Sequence, residues 1–400
     1  MSTVLVSETW GEHAAVLARQ AAASGAGGSV GRVELRVLDV ATPASPLRLQ
    51  RGGVLERVAV AFETYGELNA DGTNAVLVTH ALTGSAHAAG VAERDGELGW
   101  WDPLIGPGKP IDTERFFVVC SNVLGGCYGT TGPTSLDPAT GRPYGPSFPR
   151  YTVCDMVEVQ RRLLAQLGVR SLRAVIGGSM GGMQALEWAV SHPELVRAVA
   201  PLAVGARHSA WAIGLNEVAR RAIMADPAWA EGRYPPGSQP AAGLATARAI
   251  AMLSYRSFDS FEERFGREKR AVGAAADGAC ASDGEVFQVA SYLAYQGEKL
   301  VERFDANTYL HLTRAMDDHD VAAGRGPLER VLGAVRMPAL VMGIDTDVLY
   351  PEPEVRELAR LLANARYERI VSPHGHDAFL IEYAQLAPRL REFLADDRAA

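Results

Sequence analysis

Residues 172–190 read LRAVIGGSMGGMQALEWAV, and the fold is decided there. LRAVI is a short, mostly apolar run of strand length, and MQALEWAV has the composition and spacing of a helix. Between them lies Gly177-Gly178-Ser179-Met180-Gly181-Gly182. A strand, a sharp turn and a helix form the context that gives G-x-S-x-G a chemical meaning. Small residues two before and two after the serine relieve crowding, so its hydroxyl is held exposed, on strained backbone, at the head of a helix. The backbone N–H of Met180 would then face an oxyanion developing on a substrate attacked by Ser179. A glycine-rich turn that serves packing alone is the competing reading, and the flanking elements weigh against it.

Outward from this turn, the apolar and β-branched runs VELRVL (33–38), VAVAFETYG (58–66) and AVLVTH (75–80) read as strands. FFVVCSN (116–122), VRAVAPLAVG (196–205), ALVMGI (339–344) and YERIVSP (367–373) read mostly as apolar strands buried on both faces of a parallel sheet. A helix is predicted over 152–167; it opens with Thr152 and Asp155 at capping-box spacing. The alternation predicts an α/β architecture, with a mostly parallel central sheet flanked by helices. From 206 to 325 the alternation breaks into Ala-, Arg- and Glu-rich sequence with helical periodicity and few strand signals. Such an insertion would sit over the carboxyl ends of the strands as a lid. The expected organisation is a mobile, Ala-, Gly- and Ser-rich N-terminal tail over 1–30, a core over 31–205 and 326–400, and a helical lid domain over 206–325.

With 48% hydrophobic and 22% charged residues, the chain has the balance of a soluble globular protein rather than a disordered one. A net charge of -8 disfavours nucleic acid and anionic membranes as partners. There is no long apolar run and no basic-then-apolar leader pattern at the N-terminus, so a cytoplasmic location and no membrane partner are the expectation. The four cysteines, Cys120, Cys127, Cys154 and Cys280, form no CxxC pair and have no histidine at metal-ligand spacing. Free thiols, no metal and no disulfide framework follow.

A serine hydroxyl needs a base, and the fold suggested by the turn supplies its acid and base later in the chain, in the order Ser, Asp/Glu, His. ALVMGIDTDVLYP delivers Asp345 and Asp347 at a strand end, and SPHGHDAFL delivers His374 and His376. Histidines before Ser179 break that order; His192 reads as a helix terminus, and His208, His311 and His319 fall in the insertion. His376, followed by the helix-like Asp-Ala-Phe-Leu, is the preferred base, with His374 the alternative. Either aspartate serves as the acid, and either is equally a turn former. A second oxyanion donor should come from the loop after AVLVTH, in His80-Ala81-Leu82-Thr83-Gly84, where the N–H of Leu82 is the candidate. His80 itself reads as a structural histidine.

The stretches THALTGSAH, GWWDPLIGPGKPIDTERFFVVCSNVLGGCYGTTGP, GPSFPRYTVCDMV, IGGSMGGMQALEW, GLATARAIAMLSYRS, GIDTDVLYP and GHDAFL together cover most of the chain. With them, the sequence resembles the homoserine O-acetyltransferase family of α/β-hydrolase-fold acyltransferases. The resemblance implies a ping-pong transfer: acetyl-CoA, a co-substrate rather than a bound cofactor, acylates Ser179, and the hydroxyl of L-homoserine then takes the acetyl group for methionine synthesis. It makes Asp347 the acid and His376 the base. It also carries substrate binding to Arg248 and Asp377, an arginine fork for the amino acid's carboxylate and a carboxylate for its ammonium. A homodimer joined through the helical insertion is a further expectation from the family.

Members using succinyl-CoA, or serine as acceptor, share these motifs. The apolar and glycine residues around GGCYGTTGP would line an acyl pocket without an extra cation for a succinyl carboxylate, which favours acetyl. An esterase or other hydrolase with the same triad differs only in letting water reach the acyl-enzyme. A catalytically silent scaffold would have lost one of the three residues.

Overall fold

The computed structural model describes residues 28–271 and 284–395. Eight strands form one central sheet: β1 (Arg36–Ala41), β2 (Val58–Tyr65), β3 (Ala75–Thr79), β4 (Phe117–Ser121), β5 (Leu172–Gly178), β6 (Val199–Leu202), β7 (Ala339–Ile344) and β8 (Ala365–Ile370). Their order across the sheet is β1-β2-β4-β3-β5-β6-β7-β8. The β1/β2 and β2/β4 pairs are antiparallel, and the remaining neighbours are parallel.

Along β3 the side chains alternate between two apolar layers. Ala75 and Leu77 join a core with Val157, Leu163 and Leu186; Val76 and Val78 join a second with Trp101, Ile344 and Leu390. Every residue of β3, β4 and β7 is buried, as for strands covered by helices on both faces. The expectation of the same burial for YERIVSP is corrected: β8 lies at the sheet edge and is largely half-buried. Its charges serve that position, Arg366 meeting Glu392 at 2.6 Å and Glu368 meeting Arg389 at 3.0 Å, and a charged edge discourages pairing with another chain.

Helix α1 (Val153–Gln166) starts with a complete capping box, in which Thr152 and Asp155 each accept the other's backbone N–H. Helix α2 (Met180–Ser191) follows β5 and is buried over most of its length. After β6 the chain forms α3 (Ala210–Ala225), α4 (Ala241–Tyr255), α5 (Phe258–Phe265), α6 (Gln288–Val301) and α7 (Ala306–Asp317). Between α5 and α6 lies an antiparallel pair, Lys269–Ala271 with Glu285–Phe287, in a segment read from sequence as helical. These three-residue strands are too short to carry an alternation signal. Helices α8 (Leu328–Gly333), α9 (Glu352–Leu361) and α10 (Tyr383–Ala395) complete the flanks.

Of the tail expected over 1–30, residues 1–27 lie outside the described residues. The last three are not loose: Gly28 donates its N–H to the Pro107 carbonyl at 2.7 Å, and Val30 packs on the second core. Among the described residues no helix is long and apolar enough to cross a membrane.

Candidate active site

Ser179 stands where β5 ends and α2 begins, with φ 57° and ψ -126°. A non-glycine residue held there costs roughly 1–3 kcal/mol, so the surrounding packing must impose it. Thr79 at the end of β3 supplies much of that packing. Its hydroxyl donates to the Gly181 carbonyl at 2.8 Å, and a Cβ on Gly177 or Gly181 would collide with the Thr79 hydroxyl or carbonyl. A Cβ on Gly178 would run into the Phe379 ring. These glycines around Ser179 are therefore demanded by two neighbouring segments at once, the end of β3 and the loop that carries Phe379. Met180 is fully buried behind Ser179, and as first residue of α2 its N–H has no intrahelical acceptor.

The Nδ1 of His376 lies 2.7 Å from Asp347 Oδ2, both residues being buried. The other oxygen, Oδ1, accepts the backbone N–H groups of Leu349 and Tyr350 at 2.8 and 2.9 Å, which fixes the carboxylate. Burial pulls the imidazole pKa down, but the Asp347 charge and hydrogen bond, helped by Asp377, outweigh it and leave it above the ordinary 6.5. The rings of Tyr350, Phe379 and Tyr255 surround the imidazole at centroid distances of 5.3, 5.5 and 5.8 Å. Its Nε2 has no hydrogen-bond partner among the described residues. Asp345 and His374 are placed differently: Asp345 Oδ1 accepts the Ser372 N–H at 3.0 Å, and His374 is half-buried, its pKa lowered by burial and by Arg256. The structure thus pairs Asp347, not Asp345, with His376.

A cavity of about 1200 Å³ opens onto Ser179, His376, Leu82, Arg248 and Asp377. The five come from the β5/α2 turn, the loop after β8, the loop after β3, and α4. His80 locks the start of the Leu82 loop: its Nε2 accepts the Val123 N–H at 3.2 Å, so Nδ1 carries the proton donated to the Ala81 carbonyl at 2.8 Å. Burial pushes its pKa down to about 4, in keeping with a neutral, structural ring.

Several cavity residues escaped the sequence reading. Tyr255 lies under the Arg248 guanidinium, 5.4 Å from ring centroid to Cζ. The signal was present, since a spacing of seven on a helix puts two side chains on one face. Arg256 pairs with Asp377 at 3.3 Å, and Ser257 donates its hydroxyl to the Pro373 carbonyl, so the end of α4 is fastened to the histidine loop. Lys299 and Arg303 also reach the cavity. The expected cation-free acyl pocket around GGCYGTTGP is corrected. From that stretch only Tyr128 lines the large cavity, and its hydroxyl accepts from Arg303 at 2.7 Å. The loop instead packs inward on β2, with the Thr130 and Thr131 hydroxyls accepting the Ala61 and Ala59 N–H groups, each at 2.9 Å. Behind Ser179 lies a separate cavity of about 20 Å³, lined among others by Ala219, Ala251 and Tyr309.

A family model described as the alpha/beta hydrolase fold matches residues 74–383. The homoserine O-acetyltransferase of Carboxydothermus hydrogenoformans is 50% identical over 372 residues, spanning 92% of this chain and 96% of that protein. Among solved structures, homoserine O-acetyltransferase from Bacillus anthracis superposes with a TM-score of 0.82 at 29% identity, covering 90% of this chain and 98% of that one. Esterase E22 superposes with a TM-score of 0.81 at 31% identity, covering 90% of this chain and all of that one.

Proposed function

The chain belongs to the homoserine O-acetyltransferase family within the α/β-hydrolase fold, and from that premise we propose that it transfers the acetyl group of acetyl-CoA to the hydroxyl of L-homoserine through an acetyl-Ser179 intermediate. The Asp347–His376 hydrogen bond beside the strained Ser179 turn carries this reading. Held by Asp347 with its proton on Nδ1, His376 presents a basic Nε2 that takes the Ser179 proton as the hydroxyl attacks the thioester. The N–H groups of Met180 and Leu82 stabilise the tetrahedral oxyanion, and the proton passes to the departing CoA sulfur. In the second half, His376 takes the proton of homoserine's hydroxyl, which attacks the acetyl-serine; the proton returns to Ser179 as O-acetyl-L-homoserine leaves. Nucleophile, base and oxyanion donors all belong to the chain, so the scheme needs no metal or prosthetic group.

Arg248 receives the acceptor's carboxylate and Asp377, braced by Arg256, its ammonium. An Arg248→Ala variant is expected to raise KM for homoserine at least about tenfold, the value of a charge-assisted pair, and KM for acetyl-CoA little. The opposite order in steady-state kinetics would remove Arg248 from the acceptor subsite. The cavity behind Ser179, about 20 Å³, takes one methyl-sized group or one water, for which about 10–15 Å³ suffices, and this supports acetyl over longer acyl groups.

A base must be unprotonated to act, so kcat/KM is expected to rise with pH through an acid limb. Because Asp347 holds the His376 imidazolium more firmly than water does, the midpoint of that limb should lie above 6.5. A rate profile with its acid midpoint below that value contradicts the assignment of His376.

The second reading, hydrolysis, is favoured by the likeness to esterase E22. A burst of CoA release followed by slow turnover until homoserine is added supports transfer; fast steady release without an alcohol supports the esterase. A cytoplasmic homodimer completes the proposal. Trp211, Val218, Leu253 and Phe258, exposed on α3, α4 and α5, supply apolar surface for a second copy.

A further inference from the structure

We infer that His87, held as an imidazolium between the buried Glu63 and the Glu97 carbonyl, is a positioning residue that fixes the loop carrying the Leu82 oxyanion donor. The inference rests on the acyl-transfer reading above, and it concerns a residue outside the reacting set.

The loop leaves β3 at His80 and ends at His87, and fixed neighbours hold it along its length. The Thr83 carbonyl accepts from Arg303 at 2.7 Å, the Ser85 carbonyl from the Trp100 indole at 2.9 Å, and the Ala86 N–H donates to Asn122 at 2.7 Å. His87 closes it: Nδ1 lies 2.9 Å from Glu63 Oε2 and Nε2 lies 3.0 Å from the Glu97 carbonyl oxygen. A carboxylate oxygen and a backbone carbonyl only accept hydrogen bonds. Both ring nitrogens must therefore carry protons for both bonds to exist, which no neutral tautomer allows.

Charge accounting agrees. Glu63 sits on β2 with its carboxylate almost wholly out of water. Its Oε2 takes the Tyr65 hydroxyl at 2.8 Å besides His87, and among the described residues no Lys or Arg pairs with it. A buried carboxylate without a counter-charge is expensive, so Glu63 and His87 stabilise each other's charged forms. The other groups facing the ring are Asp95, itself paired with Arg94 at 2.6 Å, and, beyond Glu63, Tyr65 and the buried thiol of Cys120. Burial opposes the imidazolium, but the Glu63 bond and charge, the Glu97 carbonyl and Asp95 prevail and raise its pKa above 6.5. A histidine with a raised folded-state pKa gives support that is complete below 6.5 and lost as pH climbs through the raised value. Above that pH one of the two ring bonds breaks, so His87 holds Glu63 or the Glu97 carbonyl but not both, and the end of the loop is left to the Tyr65 hydroxyl and to backbone bonds such as Trp100 N–H to the His87 carbonyl at 3.2 Å.

The test is the pH dependence of acetyl-enzyme formation in single turnover, followed by CoA release. Wild type should show a fall on the alkaline side. In Glu63→Gln, which keeps an acceptor but removes the charge, that fall should move to lower pH. His87→Gln should abolish the fall and slow acylation on the order of tenfold, the value of one charge-assisted hydrogen bond, with KM for acetyl-CoA nearly unchanged. A wild-type profile without the fall, or coincident alkaline limbs in wild type and Glu63→Gln, overturns the inference. Should either variant not fold, amide exchange of residues 81–88 in the wild-type protein decides. Protection, corrected for intrinsic exchange, should drop in step with the alkaline loss of activity, and constant protection overturns the role of His87. Ser179→Ala run alongside keeps the two readings apart: acylation that survives in it defeats the acyl-serine scheme, whereas an unmoved alkaline limb with Ser179→Ala silent defeats only the role of His87.

Discussion

Replacing Ser179 with alanine is expected to abolish acetyl-enzyme formation and to lower kcat by about 10⁶-fold, the scale seen when a triad nucleophile is lost. Substrate binding and the oxyanion donors would remain, so acetyl-CoA should still bind. Intact-protein mass spectrometry after mixing with acetyl-CoA reads the result directly: wild type gains one acetyl group at the active site and Ser179→Ala gains none. An acetyl adduct at the active site of the variant would mean that another group is the nucleophile. Alanine does not relieve the backbone, because its Cβ meets the same crowding at φ 57°. Glycine does. Ser179→Gly should be equally inactive yet more stable in thermal unfolding, by about 1 kcal/mol, since glycine takes positive φ without steric cost. An unchanged or lower melting temperature for the glycine variant would show that the turn is not strained.

The second large effect is expected from Asp347→Asn, which should lower kcat by about 10⁴-fold while the protein stays folded. The asparagine carbonyl can still accept the Leu349 and Tyr350 N–H groups, so the turn survives. Its amide, however, now donates toward His376 Nδ1, which drives the ring proton to Nε2. A base whose lone pair points away from the serine cannot deprotonate it, and this wrong tautomer accounts for the loss. Asp345→Asn is the matched control. Asp345 accepts a backbone N–H from Ser372, a role the asparagine carbonyl fills, so its effect should be small. A larger loss for Asp345→Asn than for Asp347→Asn would reverse the assignment of the acid.

Much of the fold was legible because its signals are local. LRAVI is strand where it read as strand, continuing through Gly178, ALVMGI is a strand over the very residues that read as one, and the Thr152/Asp155 box begins α1 as its spacing required. Position within the sheet was not legible. YERIVSP looked like another buried strand, and only the strand order makes it an edge. In the candidate site, Arg248 carried a usable clue to Tyr255 through helical spacing, whereas Arg303 and Arg256 carried none. Arg303 matters through the Thr83 carbonyl and the Tyr128 hydroxyl, which are 220 and 175 residues away in the chain. No spacing rule reaches so far.

What the sequence determined by itself is the turn at Ser179: two glycine pairs around a serine, between a strand and a helix, leave few other backbone solutions, since steric exclusion acts between near neighbours. Which cations enter the cavity, and that a buried Glu63 keeps His87 charged, were decided by the tertiary structure alone, while the pairing of Asp347 with His376, open to spacing rules, was reached in the sequence only through family resemblance. Those outcomes depend on hydrogen bonds and electrostatic attraction across a few ångströms of space. That proximity exists only after strands far apart in the chain have taken neighbouring places in one sheet.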